Sequence, residues 1–188
     1  MKLLEAQRRF AQFEHVKNAY RSRDIGLLLE ERGEKLRSTI KRLTNANVIE
    51  RVARDLYWHR TTASTRYQPI EEIAALLRIG STCYVGMESA ASRWGIISQI
   101  PVDRLTVVTS GREGLFPTPF GTIEFIHTAA DALEIMVNTV DVPESPLRLA
   151  TKHYTVTGLK RARRSLDLID EEELADAQRY ASFIQSKR

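Results

Sequence analysis

Between Glu34 and Ala46 the chain concentrates side chains able to grip phosphate or read the edge of a base: Lys35, Arg37, Ser38, Lys41, Arg42 and Asn45. At 100° per residue, Ile40 and Leu43 fall within about 40° of Leu36, which predicts a helix with one apolar stripe. Ser38, Lys41 and Asn45 then point the opposite way, with Arg37 and Arg42 on the flanks. Arginine bridges guanine and asparagine bridges adenine in the major groove. A helix of about 13 residues is about 20 Å long and fits that groove. The spacing therefore predicts groove contacts from Ser38, Lys41, Arg42 and Asn45. Lys35 and Arg37, with Arg51 and Arg54 from the segment that follows, are expected to hold the phosphate backbone. The expected partner is double-stranded DNA.

No arrangement of residues points to catalysis. His15, His59, His127 and His153 lack the spacing of metal ligands such as His-Glu-x-x-His. Gly111-Arg112-Glu113-Gly114 has neither the Lys-Ser/Thr of a phosphate-cradling loop nor a dinucleotide fingerprint. Glu88, Asp131 and Glu134 are acidic, but no Asp…Glu-x-Lys pattern organises them for metal-dependent hydrolysis. The expectation is a non-enzyme with no metal and no cofactor. A second basic cluster, Lys160, Arg161, Arg163 and Arg164, admits two readings. It is either a solvated helix face balanced by the acidic run from Asp170 to Glu173, or a secondary nucleic-acid or partner-binding surface.

The elements that must carry these residues follow from periodicity. Leu3, Ala6, Phe10, Phe13, Val16 and Tyr20 predict a first helix over about 3–19. Ser22 is a natural N-cap for a short second helix closing near Gly33, and the helix from Glu34 is the third. Val48–Val52 and Leu56–His59, separated by Ala53-Arg54-Asp55, predict a hairpin, and Asp55 tolerates a positive φ in the turn. Three helices and a hairpin are the order of a winged helix-turn-helix, expected over residues 1–62. After a polar linker, residues 68–188 predict an α+β domain with a small sheet and C-terminal helices. Its elements are a helix over about 70–79, strands at 105–109 and 121–127, a helix from Glu88 stopped by Gly95, a helix from about His153, and a last one from Asp170 to about Gln185.

The formal net charge is +4, unevenly spread. Residues 1–65 hold 14 Lys/Arg against 8 Asp/Glu, and residues 66–188 hold 14 against 16. A basic first third suits a polyanionic partner. Cys83 is the single cysteine, so no internal disulfide can form. No apolar run is long enough to span a bilayer, and the N-terminus lacks a sustained apolar leader. A cytoplasmic location is expected.

A further set of segments is more specific. These are Tyr84-Val85-Gly86-Met87-Glu88-Ser89-Ala90-Ala91, Trp94-Gly95-Ile96-Ile97-Ser98-Gln99-Ile100-Pro101, Thr106-Val107-Val108-Thr109-Ser110-Gly111-Arg112 and Thr118-Pro119-Phe120-Gly121-Thr122 with Phe125. Together they resemble the AbiEi family, antitoxins of type IV toxin–antitoxin and phage-defence systems together with related transcriptional regulators. Lys152-His153 departs from that pattern, where relatives often show Pro-Glu, and so does Asp55, where a Gly is common. The resemblance implies a winged helix followed by an α+β antitoxin domain. It also implies repression of the chain's own operon at inverted repeats in its promoter, and counteraction of a nucleotidyltransferase-like toxin. A stand-alone regulator, or a protein-interaction module without a toxin, is the alternative.

Overall fold

The computed structural model describes residues 2–60, 67–97, 103–143 and 145–169. The chain is α+β. It divides into two compact units, Met1–Leu76 and Leu77–Arg188.

In the first unit the elements are α1 (Leu3–Ala11), β1 (Ala19–Arg21), α2 (Ser22–Leu29), α3 (Gly33–Asn45), β2 (Ile49–Ala53), β3 (Leu56–His59) and α4 (Pro69–Leu77). Phe10, Ile25, Leu29, Leu43 and Ile49 are fully buried at its centre. Phe10 meets Tyr20 edge-on at 5.1 Å and stacks on His59 at 4.9 Å, and burial pushes the His59 imidazole's pKa down. The three strands form one antiparallel sheet in the order β1-β3-β2.

The first helix is shorter than its periodicity predicts. It stops at Ala11, leaving Phe13 and Val16 about half exposed, while Tyr20 moves into β1 and pairs with Tyr57. Long-range pairing overrides the local pattern, and the buried Glu72 of α4 fixes the change by accepting the backbone N–H groups of Asn18 (2.9 Å) and Ala19 (2.8 Å). α4 thus lies with the first unit, although the sequence pattern groups it with the second. Ser22 is the first helical residue of α2 rather than its cap, and the Asp24 carboxylate instead accepts the N–H of Arg21 at 3.2 Å. Burial works to raise the Asp24 pKa, but Lys17 at 2.9 Å outweighs it and holds the carboxyl below its usual range. Glu30, not Gly33, takes the left-handed conformation that ends α2, and Gly33 opens α3. The β2–β3 turn has two residues, 54 and 55, with Asp55 at φ +60° as its side chain allows.

The second unit holds β4 (Cys83–Val85), α5 (Met87–Arg93), β5 (Arg104–Thr109), β6 (Gly114–Thr118), β7 (Gly121–His127), α6 (Ala132–Val137), β8 (Thr139–Val140), β9 (Arg148–Ala150) and α7 (Lys152–Ala162). Its strands form one mixed sheet in the order β6-β7-β5-β4-β9-β8, with β5–β7 and β4–β9 parallel. β5 sits centrally and is buried from Leu105 to Thr109, as a near-continuous β-branched run should be. Ala91, Ile96, Val156 and Leu159 form a buried cluster bringing α5 against α7. Gly95 ends α5 at φ +69°, and Gly121 turns β6 into β7 at φ +114°, where a Cβ would lie 2.8 Å from the Asp103 carbonyl oxygen. The last helix expected, from Asp170, lies outside the described residues. No helix among the described residues is long and apolar enough to cross a membrane.

Candidate nucleic-acid interface

α3 packs Leu43 (1% exposed), Ile40 and Thr39 inward. Lys35, Arg37, Ser38, Lys41, Arg42 and Asn45 are all exposed, and so are Arg51 and Arg54 on the hairpin. The approach of α2 to α3 depends on Gly26, where a Cβ would lie 2.9 Å from the Glu31 carbonyl oxygen and 2.9 Å from Leu36 Cδ2. That contact fixes how α3 is turned, and hence which of its side chains face out.

The exposed side chains divide between two flanks. Arg37, Lys41 and Asn45 of α3 line one open groove with Arg51 of β2, Tyr57 of β3 and Ser22 at the start of α2. Arg42 lies on the other flank, beside Lys2, Leu3 and Ala6. Its guanidinium donates to the Thr39 hydroxyl at 3.0 Å. Lys35 reaches the buried Glu31 at 3.6 Å. Arg37 pairs with Glu34 at 3.0 Å, but both side chains are largely exposed, and such a pair contributes little. Lys41 and Arg54 make no ion pair among the described residues. The groove is therefore cationic, with an amide at one end, and its charges are available to a polyanion.

Ser22 and Tyr57 are groove residues that the sequence pattern alone does not pick out. Tyr57 was legible in principle, because hairpin register sets it opposite Arg51. Trp58 is 4% exposed and belongs to the core. Arg60, just after the hairpin, is held by Glu50 at 2.8 Å.

The second basic cluster does not form a single surface. Lys160, Arg161 and Arg163 are exposed at the end of α7. Arg164 turns inward, donating to Glu88 at 2.9 Å and to both oxygens of Glu124 at 2.8 and 3.0 Å. The Arg164 hydrogen bonds hold the Glu124 carboxyl below its usual range. Arg164 is thus an internal ion-pair residue. Glu88, Asp131 and Glu134 have separate partners: Glu88 holds Arg164, Asp131 caps α6 through the Glu134 N–H at 2.7 Å, and Glu134 accepts the Tyr154 hydroxyl at 3.1 Å.

Among solved structures, the chain is similar to the RV2827C protein from Mycobacterium tuberculosis, with a TM-score of 0.62. The likeness covers 94% of this chain and 72% of that one at 12% sequence identity. It speaks to the fold alone. No family model matches the sequence, and no curated protein matches it.

Proposed function

We propose that the first unit is a winged helix-turn-helix that binds double-stranded DNA, with α3 in the major groove and the β2–β3 hairpin as the wing. One observation carries this reading: Arg37, Lys41 and Asn45 share a solvent-open groove with Arg51, while the apolar side of α3 faces the core. The order of three helices and a hairpin, with β1 as the third strand, supports this reading. The basic balance of residues 1–65 supports the same partner. Lys41 and Asn45 read bases, Ser38 lies beside them, and Arg37, Arg51 and Arg54 hold phosphates. Lys35 and Arg42, engaged on the opposite flank, contribute less.

The resemblance to the AbiEi family extends the proposal: the chain represses its own promoter and counteracts a nucleotidyltransferase-like toxin. Fluorescence anisotropy on DNA from upstream of its gene tests the binding. Lys41→Ala should weaken binding by about 1–3 kcal/mol and relax specificity if it reads a base, whereas Arg51→Ala should lower the salt slope by about one. Affinity that neither variant changes, or that does not fall with salt, would overturn the reading. The toxin arm is tested separately, by whether co-expression restores growth to cells carrying a toxic neighbouring gene.

A further inference from the structure

Once Arg164 is assigned to an internal ion pair, the remaining cations of the second cluster need another account, and Arg161 has one. A recess of about 290 Å³ opens in the second unit between α7 and the sheet. Val108, Ile126 and Met87 give it apolar walls, and Tyr84 and Tyr154 line it with aromatic rings whose centroids lie 6.0 Å apart. At Gly158 of α7 a Cβ would meet the Met87 sulfur at 3.5 Å, an ordinary contact. The polar side chains lining the recess are those of Tyr84, His127, Thr128, Tyr154, Thr155 and Arg161. The Thr128 hydroxyl accepts the Ala130 N–H at 3.2 Å, which leaves its own O–H free to donate. The Tyr154 hydroxyl is already committed to Glu134. Arg161 lines the same recess and makes no ion pair among the described residues.

We propose that this recess is a binding site for a small aromatic carboxylate, its ring against Tyr84 and Tyr154 and its carboxylate held by the Arg161 guanidinium with the Thr128 hydroxyl. The chemistry follows from the lining. A planar guanidinium matches a carboxylate through two parallel N–H bonds, and aromatic walls favour a flat apolar body. The volume sits at the lower end of small-molecule sites, roughly 300 Å³, which suits one ring. Burial raises the Tyr154 hydroxyl's pKa, a hydrogen bond with Tyr84 opposes the rise, and Glu134 adds to it. This inference does not depend on DNA binding by the first unit.

The test is calorimetric titration of the full chain with salicylate and with its uncharged isostere salicylamide. Salicylate should bind saturably, and salicylamide at least about tenfold more weakly, because the charge-assisted pair is lost. Arg161→Ala should weaken salicylate by about the same factor. Arg163→Ala, which removes another exposed charge two residues away, should leave it unchanged. Both are surface substitutions, and their folding is to be checked by circular dichroism. No saturable salicylate binding, equal affinity for salicylamide, or an equal loss in both variants would overturn the proposal.

Discussion

At the scale of single residues, Arg164 shows how far a side chain's role can lie from its sequence neighbourhood. It stands in a run of basic residues, yet its partners Glu88 and Glu124 are 76 and 40 positions away. Arg164→Met removes the main partner of two largely buried carboxylates, leaving Glu124 with Arg104 at 3.6 Å and Glu88 with the Ser165 hydroxyl at 3.0 Å, and urea denaturation near pH 7 should show the second unit destabilised by about 2 kcal/mol. That is less than for a fully buried pair, because all three side chains keep some water. The pH dependence has a definite sign. The folded-state pKa of Glu124 is depressed, so its contribution is fully present above the ordinary carboxylate value and is lost as pH falls through the folded value. The difference between wild type and Arg164→Met should therefore shrink on acidification towards pH 3, and a constant difference would refute the ion-pair account.

At the scale of elements, what could be read from the sequence depended on whether local chemistry or distant pairing decided the outcome. α3 was legible because Leu36, Ile40 and Leu43 share one phase, and its outward residues then followed by elimination. The hairpin was legible from two β-prone runs and Asp55, and β5 from its Val-Val pair. β1 was not, since Tyr20, which continues the helical period, joins a strand only because β3 lies beside it. β8 and β9 are two and three residues long, too short for alternation to register. In the groove, Arg37, Lys41, Asn45 and Arg51 were legible, whereas the difference between the two flanks of α3 depends on contacts with α1 and Glu31. Gly26 carries a prediction at this scale. Gly26→Ala places a methyl 2.9 Å from a backbone carbonyl oxygen that cannot swing aside, so the α2–α3 approach must widen. Thermal unfolding of the first unit should show a loss of about 1–3 kcal/mol, and on the proposed reading DNA affinity should fall because α3 is displaced.

At the scale of the whole molecule, the polar linker is a poor guide to where the first unit ends. Glu72 of α4 satisfies two backbone donors that would otherwise be buried and unpaired, so α4 is part of that unit's structure. A fragment of residues 1–76 should unfold cooperatively. A fragment ending at residue 60 should be less stable by about 2–3 kcal/mol, since it leaves Asn18 and Ala19 without their acceptor. Equal melting of the two fragments would show that α4 is dispensable.

The unequal flanks of α3 also bear on the DNA that the proposed reading requires. A helix that meets the duplex with its Arg37–Asn45 side, while Lys35 and Arg42 are engaged elsewhere, cannot be turned end for end and make the same contacts. Its half-site has a direction. Reversing a single half-site, with its base composition unchanged, would present the protein with a different word, and only two copies facing each other across a centre could make a palindrome readable.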